Sequence, residues 1–496
     1  MHKLSCASTW PVYGSEGIQA LEAQLQRDSP LPLMRKAGLA TAQLALALAP
    51  HAQRIWVAAG PGNNGGDGLE AAIHLHEWGR KVIVSLFGRA PNLPAEAHAA
   101  WQRAQAAGVE ITSDLPASWL EGMGPLDLCI DALLGMGATR PLSPELQKWV
   151  QALNQCPAPV MAIDLPTGLN PASGQLLGDT QDTALMVQAD HTLTFIAAKA
   201  GLFMGHGRDA CGCIWLEHLG HQHSAHAPPL QALLNDSKPR SIKVHASHKG
   251  SHGDVTVIGG EPMAARGMGM TGAAVLAATA AMHAGAGRVI LSLLSGQATD
   301  CAPPDLMQRD WQSLDLENLH VVCGCGGGQA VQPIMPSVLQ RSAQLVLDAD
   351  GLNAIAQDET LQNWLKKRGD DQPTVITPHP LEAARLLNIT TAQVQNDRLK
   401  AAQDLVNHFH CTVVLKGSGT VIAAPGQTPR INTSGNGRLA TGGTGDVLAG
   451  LIGARMAQGL SAFDAACSAV AQHGQVANDW PENQALTASE LARHLN

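Results

Sequence analysis

The sequence predicts an α/β protein that contains two parallel sheets. Short apolar runs rich in Val, Ile and Leu alternate with longer helical patterns, as in sheets whose strands are joined by crossover helices. Glycine is abundant, with 51 residues, whereas aromatic residues make up only 3%. This composition suits tight strand-to-helix turns. The length of 496 residues exceeds what one hydrophobic core normally holds, so at least two domains are expected.

The two sheets are predicted from two series of strands. In the first half the strands read "RIWVAAG", "KVIVSLFG", "LDLCIDA", "PVMAIDL" and "HTLTFIA". In the second half they read "DVTVIGG", "GRVILSLL", "HVVCGCG", "QLVLDAD", "TVITPHP" and "CTVVLKG". The segment 221–240 between them is polar, contains proline and shows no sustained period. We therefore predict a first domain at 1–222, a linker at 223–240 and a second domain at 241–496.

The composition also excludes several classes of function. Lys and Arg number 32 against 41 Asp and Glu, a net charge of −9, so neither nucleic acid nor an anionic membrane is expected as a partner. The apolar run "GLATAQLALALAP" is too short to span a bilayer and predicts a buried helix. The start of the chain lacks a signal peptide, and the ten cysteines are scattered, which favours the cytoplasm. Small molecules and further copies of the chain are the expected partners.

One group of possible metal ligands precedes the predicted linker and runs into it. It consists of Cys211, Cys213, His218, His221, His223 and His226. Its spacing matches no standard zinc pattern, so a solvated His-rich linker is favoured over a metal site.

A first candidate site begins in the loop "AAGPGNNGGDG" at 58–68. Three of its glycines fit the dinucleotide pattern G-x-G-x-x-G: Gly60, Gly62 and Gly65. A Rossmann dehydrogenase is nevertheless disfavoured, because the second strand ends in "SLFGR" and lacks the acidic residue that would bind a ribose hydroxyl. The loop also carries Asn63, Asn64 and Asp67 where a pyrophosphate should lie.

Two more carboxylates follow strands of the same sheet, Asp131 in "CIDALLGMG" and Asp164 in "AIDLPTG". Each could simply cap a helix or form a turn. Several acidic strand ends in one sheet favour a shared site instead. Asn64, Asp131 and Thr167 offer hard oxygen ligands that suit an alkali or alkaline-earth ion. Asp164 then stays available to exchange protons.

The motifs "GPGNNGGDG", "DALLGMG" and "DLPTGLN" resemble those of the NAD(P)H-hydrate epimerase domain over about residues 10–220. The resemblance implies a Rossmann-like three-layer sandwich, with Asp164 as a catalytic residue at the reacting ring. It implies a potassium ion held by Asn64, Asp131 and Thr167. It also implies that the substrate is bound by Asn63, Asn64, Gly65, Gly66 and Asp67, and by Gly135, Met136, Gly137, Ala138, Thr139, Arg140 and Pro141. The family commonly has Thr where Met136 stands.

A second candidate site lies in "ATGGTGDVLAG" at 440–450. Glycines that precede a helix allow backbone N–H groups to surround an anion. No Gly-Lys-Ser/Thr follows, so the loop is not a Walker loop. A carboxylate beside a phosphate site repels the ligand, so its presence indicates a specific role. Asp446 is placed to take a proton from an attacking hydroxyl.

"TGGTGD" and the helix after it resemble the anion hole and catalytic aspartate of ribokinase-like kinases. With "LDADGLN", "TPHPLEAARLL" and "LKGSGTVIAAP", the chain over about 230–496 resembles the ADP-dependent NAD(P)H-hydrate dehydratase domain. The resemblance implies that the hydrated nicotinamide contacts Ala273, Ala274, Gly327, His379 and Asp446. It implies that ADP, with magnesium, contacts Lys416, Gly417, Ser418, Gly419, Thr420 and Gly445. The family usually has Gly where Leu381 stands.

Together the two resemblances imply a bifunctional enzyme that repairs hydrated NADH and NADPH by epimerisation followed by ADP-dependent dehydration. Two alternatives stay open at this stage. The second domain could be a small-molecule kinase, such as one for a vitamin precursor, and the first could be a non-catalytic binding module. On the level of single residues, Ala273 could serve helix packing and His379 could cap a helix.

Overall fold

The computed structural model describes residues 1–4, 8–178, 185–221, 227–236, 245–263, 267–368 and 372–495. The chain forms two compact units, the first extending to Ala232 and the second beginning at Leu233. The predicted α/β class is confirmed in both. Within the predicted linker at 223–240, a strand at Ala232–Asn235 pairs with Arg430–Asn432. The exact domain boundaries stay a prediction.

The first unit is built on an eight-stranded sheet. Its segment of the chain contains β1 (His2–Lys3), β2 (Pro11–Val12), β3 (Arg54–Ala59), β4 (Lys81–Leu86), β5 (Glu110–Thr112), β6 (Leu128–Ala132), β7 (Val160–Ile163), β8 (His191–Phe195) and β9 (Cys213–Glu217). The strand order is β1-β9-β8-β7-β6-β3-β4-β5. All neighbours are parallel except the edge pair of β1 and β9. The five predicted strands are therefore confirmed, and sequence patterns missed the short edge strands.

Helices cover both faces of this sheet. They are α1 (Ser15–Asp28), α2 (Leu33–Leu48), α3 (Asn63–Glu77), α4 (Ala95–Ala106), α5 (Ala117–Leu120), α6 (Pro144–Gln155) and α7 (Gly207–Ala210). Side chains alternate along a strand, and Ile55 and Val57 of β3 pack into one apolar cluster while Trp56 packs into another. The first cluster includes α2, the predicted buried helix, and the second includes α6. The result is the predicted three-layer sandwich.

The second unit has its own larger sheet. Its strands are β10 (Ala232–Asn235), β11 (Asp254–Gly259), β12 (Arg288–Leu293), β13 (Met307–Gln308), β14 (His320–Cys323), β15 (Gln344–Leu347), β16 (Thr374–Ile376), β17 (Thr412–Leu415), β18 (Val421–Ala423) and β19 (Arg430–Asn432). They are ordered β13-β12-β11-β14-β15-β16-β17-β18-β19-β10. The strands from β13 to β17 are parallel, which confirms the six predicted strands. The antiparallel strands β18 and β19 extend the sheet.

The helices of the second unit are α8 (Thr271–His283), α9 (Met335–Arg341), α10 (Ala349–Gln357), α11 (Glu359–Arg368), α12 (Pro380–Leu387), α13 (Thr391–Asn396), α14 (Arg398–Phe409), α15 (Thr444–Ala457), α16 (Ala462–Asp479) and α17 (Ala488–Arg493). Helices α8 and α15 cross closely at Ala277 and Gly450. A Cβ at Gly450 would lie 1.9 Å from the Ala277 carbonyl oxygen, so only glycine fits at this position. The small residues of α8 make this crossing possible.

In each parallel sheet the strand order reverses at one point. The connections from the two strands that flank this point lead to opposite edges of the sheet. In the first sheet this point lies between β3 and β6, and in the second between β11 and β14. Crevices form outside the carboxyl ends of strands at such points. Both candidate sites lie at these crevices.

Candidate active sites

The first crevice is shaped by the glycines of the turn from β3 to α3. A Cβ at Gly60 would lie 1.7 Å from the Leu133 carbonyl oxygen, and one at Gly65 would lie 2.0 Å from the Gly60 oxygen. These glycines therefore allow two backbone segments to touch, which explains the G-x-G-x-x-G pattern without a pyrophosphate. Gly62 caps α3 without any side-chain cap, so the first N–H groups of the helix face the crevice.

Asp131 and Thr167, two of the three predicted ion ligands, are in direct contact. The buried Asp131 carboxylate accepts hydrogen bonds from the Thr167 N–H (2.8 Å), the Thr167 hydroxyl (2.8 Å) and the Leu133 N–H (3.1 Å). Burial raises the pKa of Asp131 to about 6, although these hydrogen bonds lower it. The turn-forming role considered for Asp131 is thus real. The buried amide nitrogen of Asn64 has no hydrogen-bond partner in the structure.

Asp164 lies at the centre of the first site. It follows β7 with a left-handed φ of 70°, a strained conformation for a residue with a side chain. Its Oδ2 accepts a hydrogen bond from the Met136 N–H (3.0 Å), and its Oδ1 lies 2.6 Å from Nζ of Lys199. Lys199 is buried and also donates to the Thr194 hydroxyl (2.7 Å) and the Phe195 carbonyl (3.1 Å). The carboxylate is therefore held rigidly by a buried cation.

The second carboxylate of this crevice is Asp67 of α3. Burial, and after it the nearby charges of Asp164, Glu22, Glu70 and Glu96, raises the pKa of Asp67 well above its usual range. Of these neighbours, Asp164 is paired with Lys199, and Glu70 is paired with Arg103. The site thus contains one carboxylate paired with a cation, Asp164, and one carboxyl group surrounded by acidic residues, Asp67. In such pairs one group commonly acts as the acid and the other as the base.

The loop 135–141 forms one wall of the crevice. A Cβ at Gly135 would lie 3.2 Å from side-chain atoms of both Asn64 and Asp164, which places these side chains together. Gly137, Thr139, Arg140 and Pro141 are exposed, and Ala138 is half-buried. Met136 packs its side chain against the core, so its contribution here is the backbone N–H that binds Asp164.

The Cys/His group is not an open linker in its first part. Cys211 is buried, Cys213 begins strand β9, and the His218 ring stacks on Trp10. Across the part of the chain that the structure describes, the group of side chains able to hold a metal is a different one, Cys325, Asp348 and Asp446. His223 and His226 lie outside the described residues.

The second crevice contains the start of helix α15. Its N-cap is Gly443, with φ 92° and no side-chain cap bond. Asp446 lies within the first turn and is not the cap, so the capping role that would explain Asp446 without catalysis is absent. Gly445 lies beside Lys416, because a Cβ there would come within 3.3 Å of Nζ. Free helix N–H groups and a lysine cation therefore converge on one point.

Asp446 belongs to a charged cluster with Cys325 and Asp348, whose ligand atoms lie within 4.8 Å of one another. Asp348 is buried and accepts hydrogen bonds from Nζ of Lys416 (2.6 Å) and the Thr377 hydroxyl (2.8 Å). Burial and then the charge of Asp348 raise the pKa of Asp446 to about 6, although a hydrogen bond from Cys325 lowers it. Asp446 is thus a carboxylate that titrates close to neutrality.

The turn at 416–420 is held by a buried arginine of α14. Arg398 donates hydrogen bonds to the carbonyls of Leu415 (3.0 Å) and Lys416 (3.1 Å). Gly417 and Ser418 are exposed, whereas Gly419 is buried and the Thr420 hydroxyl bonds to the Gly417 carbonyl (3.1 Å). The side chain of Lys416 points to Asp348 and the start of α15, and its contact with a nucleotide stays a prediction.

His379 caps helix α12, as one alternative suggested. Its Nδ1 accepts hydrogen bonds from the N–H groups of Leu381 (3.1 Å) and Glu382 (3.3 Å), while Glu382 accepts one from the His379 N–H (2.8 Å). Burial and then the Lys416 charge lower the pKa of His379, and burial raises the pKa of Glu382 to about 7. The His379 ring is 45% exposed, so a substrate can still reach it.

The remaining predicted residues lie around the glycine-rich turn that follows β14. Gly327 is part of this turn, in which Gly326 approaches Ala273: a Cβ at Gly326 would lie 2.9 Å from that of Ala273. Ala273 is half-buried, whereas Ala274 is fully buried against Gly259 and Gly260. The side chain of Ala274 therefore serves packing, and Ala273 is the one of the two that lies near the crevice.

Sequence reasoning missed several residues that the structure brings into the two sites. Lys199 stands in "IAAKAG", where a lone lysine among small apolar residues was the available signal. Cys325 and Glu382 gave no comparable signal. Asp348 was noticed only as part of the motif "LDADGLN". Lys199, Cys325 and Asp348 act through tertiary contacts, which is why spacing along the chain did not reveal them. Glu382 acts through a local cap with His379.

Both halves of the chain match known family models. Residues 255–496 match the model described as NAD(P)H-hydrate dehydratase, and residues 30–201 match the model described as YjeF-related protein N-terminus. The chain is 35% identical to the bifunctional NAD(P)H-hydrate repair enzyme Nnr of Coxiella burnetii, covering 94% of both chains. It is 36% identical to the Escherichia coli repair enzyme of the same description, covering 90% of this chain and 84% of that one.

The chain belongs to the bifunctional NAD(P)H-hydrate repair enzymes.

Membership of this repair enzyme family covers both units, so the kinase alternative with a non-catalytic first unit is not favoured. Among solved structures, the chain is similar to the ADP/ATP-dependent NAD(P)H-hydrate dehydratase of Bacillus subtilis co-crystallised with ATP and Mg²⁺. The identity is 28% and the TM-score 0.41, covering 51% of this chain and 91% of that one. In the described part of this repair enzyme, every helix is too short or too polar to cross a membrane.

Proposed function

We propose that the first unit interconverts the R and S epimers of hydrated NADH and NADPH, and that the second unit dehydrates the S epimer with ADP. The family membership supports this reaction pair. The observation that carries it is the position of Asp446, a base with raised pKa at a helix N-terminus beside the Asp348–Lys416 pair. Incubation of separated hydrate epimers with ADP and magnesium, followed by the absorbance of the restored dihydronicotinamide, tests it.

Epimerisation requires that the ring hydroxyl leave as water and that water return to the other face. The ring nitrogen lone pair drives the departure and leaves an iminium. Asp67, whose pKa is raised well above its usual range, can donate a proton to the departing hydroxyl. Asp164, which is fixed by Lys199 and the Met136 N–H, can take the proton from the water that returns. The two carboxyl groups then exchange roles in the reverse direction.

The residues of the first site fit a potassium ion. The buried amide nitrogen of Asn64 has no acceptor. If the amide is rotated by 180°, its oxygen takes this position, and a buried oxygen requires a cation or a hydrogen-bond donor. Asp131 accepts three hydrogen bonds, which leaves room for one more contact. One carboxylate with neutral oxygens suits a monovalent cation. Asn64, Asp131 and Thr167 would hold the ion, which would supply a fixed positive charge beside the substrate.

Removal of the Asp131 carboxylate tests this ion site. We expect Asp131→Ala to weaken potassium binding by at least the roughly 10–100-fold that loss of an outer-shell partner typically causes. Epimerisation should fall with it, because the fixed charge is lost. The potassium concentration that gives half-maximal epimerisation is the measurement, and dehydration of the S epimer in the same sample is the internal control.

Asp131→Asn provides the matched variant, because it keeps the packing and one oxygen but loses the charge. It should show a smaller increase in the required potassium concentration. An epimerase rate independent of potassium in the unmodified enzyme, or zinc or iron bound at these ligands in a crystal, would refute the assignment.

In the second unit, Asp446 takes the proton from the ring hydroxyl, and the hydroxyl oxygen attacks the β-phosphorus of ADP. The bond from phosphorus to the α–β bridging oxygen breaks and AMP leaves. The N–H groups at the start of α15 and the Lys416 ammonium stabilise the charge on the transferred phosphoryl group. Phosphate then leaves the ring with help from the nitrogen lone pair, and loss of a proton from the adjacent carbon restores the dihydronicotinamide.

Magnesium fits this site only as a companion of the nucleotide. Cys325 supplies a sulfur, which magnesium disfavours, and one Asp348 oxygen is already occupied by Lys416 and Thr377. The cluster therefore does not form a dedicated magnesium cage. Magnesium usually binds substrate phosphates and keeps several waters, and at this site it would neutralise phosphate charge.

The dehydratase rate should depend on pH with an acid limb near pH 6. Asp446 must be deprotonated to act as a base, and its pKa is raised to about 6. We therefore expect kcat/KM to rise about tenfold per pH unit below this value and to level off above it. The measurement is S-epimer turnover against pH at saturating ADP. A rate that stays flat down to pH 4.5 would show that the base is another group.

A further inference from the structure

Two free cysteines of the first unit lie near each other, and neither is among the site residues assigned above. Cys129 lies within strand β6 and is fully buried in the apolar cluster that includes α6. Cys156 follows the last residue of α6, is half-buried and packs against the same cluster. The Cys129 thiol lies close enough to that of Cys156 to affect its pKa. The buried thiol belongs to strand β6 and the half-buried thiol to the end of helix α6, which packs on this strand.

Backbone contacts fix the pair in place. Cys156 begins the short connection from α6 to β7, which ends at Val160, the residue that pairs with Cys129 across the sheet. The Cys129 N–H donates a hydrogen bond to the Pro159 carbonyl (2.9 Å). The connection therefore lies directly beside β6, and the thiol at its start has little freedom to move away from Cys129.

The two thiols differ in exposure, since Cys129 is buried and Cys156 is half-buried. The hydrogen bond from Cys129 lowers the pKa of Cys156 to about 6, with help from the Ala158 N–H and against burial and the nearby Asp127. Asp127 is itself held by the N–H groups of Arg54 (3.0 Å) and Gly124 (3.0 Å). Cys156 is thus the attacking thiol, and Cys129 is the resolving thiol that reacts second.

We propose that Cys156 and Cys129 form a peroxide-responsive, reversible disulfide within the first unit. The proposal stands on the contact between the accessible thiol and its buried partner, and it is independent of the function proposed above. A low-pKa accessible thiol beside a resolving thiol is the arrangement found in redox-sensing sites.

The chemistry needs a peroxide as the oxidant. The Cys156 thiolate attacks one peroxide oxygen, so an S–O bond forms, the O–O bond breaks and hydroxide leaves. Cys129 then loses its proton, and its sulfur attacks the Cys156 sulfur, forming the S–S bond and releasing water. The sulfur atoms are oxidised by two electrons in total and the peroxide is reduced. A dithiol reductant restores both thiols, whereas a Cys156 without its partner would continue to the irreversible sulfinic acid.

The first test is peptide mapping of the full-length enzyme after treatment with hydrogen peroxide. We expect a linked peptide pair containing residues 129 and 156, lighter by two hydrogen atoms and reversed by dithiothreitol. Cys156→Ser should abolish the link. Cys129→Ala should leave Cys156 free to gain oxygen. Cys213→Ser is the matched control, because this cysteine is also half-buried in the same unit, and it should leave the link unchanged.

The second test is the rate of alkylation by iodoacetamide at pH 6, which needs no variant to fold. About half of Cys156 is thiolate at this pH, against roughly 0.3% of a thiol with pKa ~8.5, and the lower nucleophilicity of a low-pKa thiolate offsets part of this gain. We expect Cys156 to react about tenfold faster than such a thiol. Absence of the linked peptide in the unmodified enzyme, or no rate advantage at pH 6, would overturn the proposal.

Discussion

Asp446→Asn should lower the dehydratase rate by about 10²–10⁴-fold, the contribution that a positioned general base typically makes. The carboxylate lies next to Asp348 and accepts a hydrogen bond from Cys325, in a crevice where the helix N–H groups and Lys416 meet. Asparagine has nearly the same shape but cannot take the proton. Removing a negative charge beside the phosphates should leave ADP binding unchanged or slightly tighter. Turnover of the S epimer and the ADP dissociation constant are the two measurements.

A matched variant separates this role from a general effect on a helix terminus. Asp464 also lies in the first turn of a helix of the second unit, α16, whose cap is Ser461. Asp464→Asn removes the same charge from the same kind of position and should leave turnover near normal. If Asp446→Asn retained nearly full turnover, Asp446 would not be the base. A loss of ADP binding equal to the loss of turnover would instead indicate a damaged site.

Asp164→Asn should lower epimerisation by about 10²–10⁴-fold while dehydration of the S epimer continues. The strained backbone and the ion pair with Lys199 hold this carboxylate in one position, and asparagine cannot carry the proton. With ADP present, the S epimer should be consumed at the normal rate. The R epimer should then disappear only as fast as it converts spontaneously to the S epimer. Separation of the two epimers over time is the measurement.

Asp190→Asn is the matched control for this prediction. Asp190 immediately precedes β8, at the end of the sheet opposite the crevice, and its carboxylate accepts a hydrogen bond from the Val160 N–H (2.8 Å). Its loss should reduce stability without slowing epimerisation of the folded enzyme. Consumption of both epimers at equal rates by Asp164→Asn would show that another residue moves the proton, with Asp67 the first to examine.

The sequence determined the fold class and most of the strands, because these depend on local patterns. A parallel sheet buries both faces of its strands, so each strand is a short apolar run that can be recognised by itself. The motif residues at the ends of these strands were also recognisable, because carboxyl ends of parallel strands meet at one edge. Asp131 and Asp164 were identified in this way, whereas Asp446 was identified from the glycine-rich run that precedes a helix. The structure places all three at the crevices where the connections change side.

The edge strands β1 and β5 were not recognised, because they are short and partly exposed and so lack an apolar run. Strand β10 was not recognised, because its four residues lie in an otherwise polar segment. The glycines of the turn after β3 show a further limit. Their spacing is that of a dinucleotide site, but Gly60 and Gly65 are required by contacts with Leu133 and with Gly60 itself. A pattern of residue types cannot tell a close backbone contact from a phosphate contact.

The sequence by itself determined which residue types carry the chemistry, and the tertiary structure decided their electrostatic environments. Asp164 is paired with the buried Lys199, whereas burial and neighbouring carboxylates raise the pKa of Asp67 well above its usual range. The pKa of Asp446 likewise depends on Asp348, which lies 98 positions earlier in the chain. These effects are electrostatic and act through space at short range. They therefore exist only once the sheet has brought distant strand ends to one edge.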